Sequence, residues 1–323
     1  MTNARFVHVD SVPMPEGTFA EWIDSHDGAK IRLLRFGGTG ERGSALVIPG
    51  WAEPAEKYGE VALDLIDRGF DVTCIDPRGQ GLSQRLTEDD SRGRIDDFTK
   101  HIDDIDAAVD HLNTDRLTIV THSMGGLAGL SWLARGGSAQ AAMLSAPATR
   151  IYKSAVMRGV IRSVCGVLVG VGLGDQPARP ANNAMTFEGN TLTTDPARHA
   201  ILRDLLIADE ELALPRPTFH FVDAIHTAQA ALQKPGVIDG IQVPVLIVSA
   251  REDSWVDATH HDALAAHYPK TFELVKVEGA LHELFMEQDQ YRDQFWDAFD
   301  RFADRYVPKT SSEPATEDGS ASV

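Results

Sequence analysis

The sequence predicts an α/β fold with a mostly parallel central sheet, helices on both faces and a helical cap insertion. Short β-branched runs alternate with helical stretches along most of the 323 residues, as they do in sheets that are buried on both faces. The alternation stops between about residues 148 and 240, where the pattern favours helices alone. A strand that leads directly into a small-residue helix, at Thr121–Gly126, is typical of a catalytic turn above such a sheet.

The chain begins with two strand-like runs, Phe19–Asp24 and Lys30–Phe36, which are joined around the turn dipeptide Asp27-Gly28 and predict an antiparallel hairpin. The elements predicted after the hairpin are strand Ala45–Ile48, helix Tyr58–Arg68, strand Asp71–Ile75, helix Phe98–Leu112, strand Arg116–Val120, helix Met124–Arg135, strand Ala141–Ser145, and the strands Val243–Ser249 and Phe272–Val277, each followed by a helical stretch. Ligands in such folds bind at the carboxyl ends of the strands, so we expect the functional residues there.

Three helices are predicted between about residues 148 and 240, where the alternation stops. The first has Arg158 and Arg162 on one face. Its opposite face is apolar and carries Val156, Met157, Val160, Ile161 and Val164. A second helix begins at Thr194-Asp195-Pro196, a cap residue followed by proline, and a third runs near Phe219–Leu232. We interpret the insertion as a cap over the strand ends.

These patterns divide the chain into a core over residues 1–147 and 241–308 and a helical cap over residues 148–240. Residues 309–323 are rich in Ser, Glu, Ala and Thr and show no periodicity, so we predict a disordered tail there.

The composition, with 43% hydrophobic and 24% charged residues, is typical of a globular protein. The 48 acidic and 30 basic residues give a formal net charge of −18, which argues against nucleic acid as a partner. Cys74 and Cys165 lie far apart in apolar surroundings, so we expect no disulfide and a reducing compartment. Met1–Pro15 lacks the pattern of a signal peptide, and Ser163–Gly174 is too short to span a bilayer. We expect a cytoplasmic protein, and the sequence leaves peripheral membrane contact and the oligomeric state open.

The turn at residues 121–126 reads Thr-His-Ser-Met-Gly-Gly and indicates a nucleophile elbow, normally written G-x-S-x-G. Ser123 is the candidate nucleophile, and Gly125 is the second glycine of the motif. Thr121 replaces the first glycine, and we expect it to pack beneath the elbow. His122 is expected to point away from the reacting face and to support the site rather than react.

A serine nucleophile needs a general base, and the base needs an orienting acid. In this architecture the acid and then the histidine follow the serine along the chain. The two strands after the cap deliver Asp253 and His282 to the carboxyl edge of the sheet, so we assign them as acid and base. Glu252 and Asp257 are the rival acids.

The developing oxyanion needs backbone donors. The amide of Met124, directly after the nucleophile, is one candidate, and the amide of Trp51, in the loop after strand Ala45–Ile48, is the other. Gly50 lets that backbone approach closely. The alternative interpretation is that Gly50 is only a turn glycine and Trp51 only a packing residue.

Two other patterns predict structure rather than chemistry. The segment Asp76–Ser83 contains two glycines after a strand but lacks the spacing of a dinucleotide or phosphate loop, so we expect a turn whose Arg and Asp tie loops together. His260, His261 and His267 share one predicted helix without cysteines or paired carboxylates at ligand spacing, so we predict no metal site.

Together these residues resemble the α/β-hydrolase superfamily, and within it the lysophospholipase and monoacylglycerol lipase branch, also called serine aminopeptidase-like hydrolases. The likeness to the bacterial lysophospholipases extends from about Asp24 to Phe302. The stretches that carry it are Pro49–Glu53 with Lys57-Tyr58, Asp76–Arg85, His122–Gly126, Ser145–Pro147, Pro217–Val222 and Glu278–Glu283. The resemblance implies an acyl-ester hydrolase that uses Ser123, Asp253 and His282 and needs no cofactor.

We therefore expect a serine hydrolase that cleaves a single-acyl lipid, a lysophospholipid or monoacylglycerol, through an acyl-enzyme, with the apolar cap holding the acyl chain. Two alternatives remain open. One is a short-chain carboxylesterase or amidase without lipid preference, and the other is a non-hydrolysing small-molecule binder of the same fold.

Overall fold

The computed structural model describes residues 2–87, 89, 92–180, 185–214 and 216–310. Most of the segment predicted to be a disordered tail, residues 309–323, lies outside the described residues. The strands are β1 Thr2–Asn3, β2 Phe19–Asp24, β3 Lys30–Gly37, β4 Ser44–Ile48, β5 Asp71–Asp76, β6 Arg92–Gly93, β7 Leu117–His122, β8 Ala141–Ser145, β9 Arg216–Pro217, β10 Val245–Ala250 and β11 Phe272–Val277. The α-helices are α1 Gly59–Asp67, α2 Thr99–Leu112, α3 Met124–Ala134, α4 Ala155–Gly170, α5 Pro196–Ala208, α6 Phe219–Leu232, α7 Ala258–His267 and α8 Asp289–Tyr306.

Nine of these strands form one sheet in the order β1-β2-β3-β5-β4-β7-β8-β10-β11. The predicted hairpin is confirmed, because β2 and β3 pair antiparallel with Phe19 opposite Arg35 and Asp24 opposite Lys30. From β5 to β11 every neighbouring pair is parallel. The carboxyl ends of these six strands therefore lie at one edge of the sheet, as the sequence predicted.

Helices cover both faces of the sheet. Helices α1 and α8 pack on one face, where Leu65 and Phe299 belong to the same apolar cluster. Helices α2 and α3 pack on the other face, where Ile105 and Leu130 belong to a second cluster. The mostly parallel α/β sheet predicted from the sequence is thus confirmed. Helix α1 was expected to begin at Tyr58, but this residue ends a 3₁₀ turn, Ala55–Tyr58, and α1 begins at Gly59.

The insertion after β8 contains α4, α5 and α6, near the three positions predicted. Its connection to the core includes the two-stranded pairing of β6 with β9. Thr218 caps α6 and also donates a hydrogen bond from its hydroxyl to the carbonyl of Gly93. The boundaries of the cap at residues 148 and 240 remain a prediction.

Helix α4 differs from expectation in where its apolar face points. Cys165 is its one buried residue, whereas Val156 and Val167 expose 77% and 64% of their surface. The helix packs on α6 with the side opposite its valines. An amphipathic pattern shows that a face is apolar but not what covers it, and here no described residue covers it. No described helix is both long enough and apolar enough to cross a bilayer.

The turn over Asp76–Ser83 ties loops together, as predicted. Arg78 forms ion pairs with Asp27 and Asp104. Asp76 forms an ion pair with Arg32, which is fully buried in β3. Cys74 and Cys165 are both free, as expected.

Candidate active site

Ser123 occupies a strained turn between β7 and α3. Its φ of 49° and ψ of −113° lie outside the regions that a serine usually adopts, which is characteristic of a nucleophile elbow. The turn is held down because the Ser123 amide donates a hydrogen bond to the carbonyl of Ser145 at 3.0 Å. A Cβ atom at Gly125 would overlap the carbonyl oxygens of Ile48 and Pro49, so this position needs glycine for close approach.

Thr121 is fully buried beneath the first turns of α3. Cβ atoms at Gly126 and Gly129 would lie 3.2 Å and 3.1 Å from its side chain. These two glycines of the helix therefore leave room for the side chain that replaces the usual glycine of the elbow. The geometry agrees with the expectation that Thr121 packs beneath the turn without displacing Ser123.

The structure brings Ser123, His282 and Asp253 into one chain of hydrogen bonds. The Ser123 Oγ lies 2.8 Å from Nε2 of His282, and Nδ1 of His282 lies 2.6 Å from Oδ2 of Asp253. With a neutral imidazole protonated on Nδ1, the hydroxyl donates to His282 and His282 donates to the carboxylate. The backbone amides of Trp255 and Val256 donate to the second carboxylate oxygen at 2.7 Å and 3.0 Å.

The rival acids are placed elsewhere. Glu252 is exposed. Asp257 forms an ion pair with Arg150 at 2.7 Å and caps α7. Of the three candidates, Asp253 is the one whose carboxylate contacts His282.

Electrostatics fit the roles predicted for acid and base. Burial disfavours charge on both groups, but their mutual attraction lowers the pKa of Asp253 and raises that of His282. Burial lowers the pKa of the neighbouring His122 to about 4, so that ring is neutral near pH 7.

We expect kcat/KM for an uncharged ester to fall as the pH drops through one ionisation above 6.5, the usual pKa of histidine. Neutral His282 can accept the Ser123 proton, whereas the imidazolium cannot, so lowering the pH removes the active form. A pH–rate profile with p-nitrophenyl butyrate measures this limb. Asp253→Asn should move it to lower pH, because the carboxylate that raises the pKa is gone. A wild-type limb at or below pH 6.5 would contradict the assignment.

The loop after β4, residues 49–52, has the geometry expected of an oxyanion loop. The amide of Gly50 donates to Glu53 and the amide of Ala52 donates to Gln80, each at 2.7 Å. Within the part of the chain that the structure describes, the amides of Trp51 and Met124 have no protein acceptor. The ring of Trp51 also packs against Phe221 of α6 at 3.8 Å between centroids, so packing and donation are compatible.

A buried ion pair connects the oxyanion loop to the loop of His282. Lys57 Nζ lies 2.6 Å from Glu53 and 2.8 Å from Glu283, the residue after the histidine. Burial opposes the charge on Lys57, but the two carboxylates raise its pKa, so it remains an ammonium. We infer that these two ion pairs of Lys57 fix the distance between the two loops.

The same cluster has ligand atoms for a cation. Glu53, His122 and Glu283 each offer one atom, all within 4.8 Å of one another. Lys57 already supplies positive charge between the two carboxylates.

His122 is buried next to the base, with its ring centroid 4.8 Å from that of His282. The helix predicted to carry three histidines uses two of them structurally. His260 bonds to Thr149, and His261 bonds to Ser249.

The cleft above Ser123 is mainly apolar. The side chains that wall it come from the oxyanion loop, α5 and the segments around them: Trp51, Leu192, Leu202, Leu206, Leu214 and Trp255. Of the inserted helices, α5 contributes Leu202 and Leu206 to the cleft, and α4 contributes no residue.

Sequence reasoning missed Gly93, Lys57 and Trp255 as contributors to the site. A Cβ atom at Gly93 would overlap the ring of Trp51, so this glycine sets the position of the oxyanion loop. Lys57 belongs to a stretch that carries the family resemblance, but the sequence alone assigns no role to its side chain. Trp255 follows the acid by two residues, a spacing that marks a side chain-to-backbone turn and could have drawn attention to it.

Comparisons with known proteins agree with this geometry. The family described as serine aminopeptidase, S33, matches residues 40–289 of the chain. Lysophospholipase L2 of Escherichia coli strain K12 is 29% identical over 288 residues, which cover 82% of each protein. A soluble variant of monoglyceride lipase from Saccharomyces cerevisiae in complex with a substrate analogue has a TM-score of 0.71 at 18% identity, covering 90% of this chain and 96% of that chain. The monoacylglycerol lipase of Paleococcus ferrophilus has a TM-score of 0.67 at 20% identity, covering 87% and 99%. The chain belongs to the serine aminopeptidase S33 family, has the α/β-hydrolase fold and is an ester hydrolase.

Proposed function

We propose that the protein hydrolyses the carboxylic ester of a single-acyl lipid, a lysophospholipid or a monoacylglycerol. The observation that carries the proposal is the hydrogen-bonded series Ser123–His282–Asp253 at the floor of an apolar cleft. The names of similar proteins, a lysophospholipase and two monoglyceride lipases, support the same class of substrate.

In the proposed mechanism the Ser123 oxygen attacks the ester carbonyl carbon while His282 accepts the hydroxyl proton. The amides of Trp51 and Met124 donate to the carbonyl oxygen as it becomes an oxyanion. His282 then protonates the leaving alcohol, and the acyl group remains on Ser123. Water, deprotonated by His282, attacks that ester and releases the fatty acid, and the proton returns to Ser123.

The wall of the cleft supports an acyl chain as the bound group. Leu202 and Leu206 are one helical turn apart on α5, and Leu214 adds a third aliphatic side chain. Burial of each methylene contributes about 0.8 kcal/mol, so longer acyl chains should gain up to about fourfold in kcat/KM per methylene.

We expect purified protein to release fatty acid from lysophospholipids and monoacylglycerols, and kcat/KM for p-nitrophenyl esters to rise with chain length. Leu206→Trp should fill the cleft and lower the rate for long chains by about tenfold or more while sparing the acetate ester. Leu63→Trp, at an exposed position of α1, is the matched control and should leave the series unchanged.

Two other results would favour the alternatives. A flat or falling chain-length series would favour a short-chain esterase or amidase. Tight binding of ligand with no burst of product from activated esters would favour a non-hydrolysing binder.

We further propose that α4 docks on an anionic phospholipid surface. Its outward stripe of valines includes Val160, Val164 and Val167, which expose about half or more of their surface. Residues 151–174 contain one lysine and two arginines but no acidic residue, although the whole chain has a net charge of −18. Apolar contact and local positive charge together are what an amphipathic helix needs to bind anionic lipid.

Vesicle sedimentation tests this proposal. We expect the wild type to sediment with vesicles that contain phosphatidylglycerol and less with phosphatidylcholine alone. Val160→Asp should lose most of this binding and keep its activity on p-nitrophenyl butyrate, since α4 does not line the cleft. Leu63→Asp introduces the same charge on α1 and should still bind. Equal binding by Val160→Asp and wild type would exclude α4 as the docking surface.

A further inference from the structure

An arginine without an ion pair in the described part of the chain lies beside the mouth of the cleft. The guanidinium of Arg179 lies over the ring of Trp255, with Cζ 5.0 Å from the ring centroid. No carboxylate among the described residues forms an ion pair with it. Arg150 and Arg198, by contrast, form ion pairs with Asp257 and Glu60. Among the described residues, Arg179 is therefore an arginine that remains available to an external anion.

The platform beneath Arg179 is fixed at the active site. Trp255 lines the cleft, and its ring is stacked on that of His282 with 6.3 Å between centroids. Its indole N–H donates to Thr191 at 2.9 Å, and its amide donates to Asp253. These contacts hold the indole in one orientation beside the base.

The backbone that carries Arg179 is also anchored. The amide of Ala178 donates to the carbonyl of Pro217 at 2.8 Å, and Pro177 forms a bridge with Thr218. The side chain of Arg179 is exposed, so an anion from solution can reach the guanidinium.

We propose that Arg179 binds the phosphate of a lysophospholipid head group and makes the protein prefer lysophospholipids to monoacylglycerols. The proposal rests on the function proposed above. The two ring separations place the guanidinium within about 11 Å of the His282 ring. In a lysophospholipid six covalent bonds, about 7 Å when extended, join the ester carbonyl carbon to the phosphorus. A guanidinium in contact with the phosphate oxygens adds about 4 Å to this span, so an extended head group is long enough for the upper limit that the two ring separations set.

Monoacylglycerol supplies the contrast, because it has a neutral hydroxyl where the phosphate would be. The other charges at the cleft favour the same choice. Glu53 and Glu283 are bound to Lys57, and Asp253 is bound to His282, so Arg179 is the cation left to recognise an anionic head group.

The test compares two substrates in the same neutral-detergent micelles, 1-palmitoyl-lysophosphatidylcholine and monopalmitoylglycerol. We expect Arg179→Gln to lower kcat/KM for the phospholipid about 5- to 10-fold, mostly through KM, and to leave the monoacylglycerol unchanged. Arg179→Lys should retain part of the preference. Arg301→Gln removes an exposed arginine of α8, away from the cleft and from α4, and should leave the ratio as in wild type.

Other outcomes overturn the proposal in distinguishable ways. If Arg179→Gln changes kcat/KM equally for both lipids, Arg179 does not bind the phosphate. Hydrolysis of neither lipid by wild type would overturn the proposed function and this inference with it. Glycerophosphocholine should inhibit the wild type more strongly than it inhibits Arg179→Gln. If inorganic phosphate inhibits the wild type as strongly as glycerophosphocholine does, the site binds free phosphate and not a lipid head group.

Discussion

Ser123→Ala is expected to lower kcat for ester hydrolysis by roughly 10⁴–10⁶-fold, the loss typical when a serine nucleophile is removed. The physical reason is that the alanine methyl cannot attack a carbonyl, and no other hydroxyl lies within hydrogen-bond distance of His282 Nε2 among the described residues. The protein should remain folded, since the elbow is held by backbone contacts to Ser145 and Ala148. Initial rates with p-nitrophenyl butyrate and labelling by a fluorophosphonate measure the effect.

The design needs a second serine as its control. Ser131→Ala changes a serine two turns further along α3 and should leave both the rate and the labelling intact. His282→Ala should lose about as much activity as Ser123→Ala, and the double variant should lose little more, because the two side chains act as one unit. Hydrolysis by Ser123→Ala at a rate near wild type would contradict the assigned nucleophile.

The parallel core could be predicted because each of its strands and helices shows a pattern within a short run of neighbouring residues. A run such as Val245–Ala250 is apolar except at Ser249, as is typical of a strand buried on both faces, and it is fully buried in the sheet. Two-residue strands such as β6 and β9 have too few residues for any periodicity, so they were not predicted. The outward direction of the α4 valines depends on how α4 packs against α6, which is a tertiary contact that no local pattern encodes.

The candidate site likewise contains residues that could be predicted from the sequence and residues that needed the structure. Ser123, Asp253 and His282 could be proposed because each follows a strand and their order along the chain is restricted. The choice of Asp253 over Asp257 needed the structure, which pairs Asp257 with Arg150. The ion pair between Lys57 and Glu283 joins residues more than two hundred positions apart, so its formation depends on the whole fold.

The largest effect on stability is expected at Arg32. Its guanidinium is fully buried in β3 and donates to both carboxylate oxygens of Glu56 at 2.7–2.8 Å, and its Nε donates to Asp76 at 2.7 Å. Burial opposes this charge, but Asp76 and Glu56 outweigh it and raise the pKa of Arg32. Asp76 in turn accepts from the amides of Ala55 and Leu82, so the cluster holds the segments that follow β4 and β5.

Arg32→Met should therefore lower the free energy of unfolding by about 3–5 kcal/mol, because it leaves two carboxylates buried without a counter-charge. Urea denaturation followed by circular dichroism measures this. Arg135→Met breaks an ion pair with Asp103 that is exposed on both sides and should leave the midpoint unchanged. Adding Glu56→Gln to Arg32→Met should restore part of the stability, because it removes one of the two uncompensated charges. A loss below about 1 kcal/mol for Arg32→Met would mean that water or a neighbouring cation compensates the cluster, and that the buried charges do not hold these segments together.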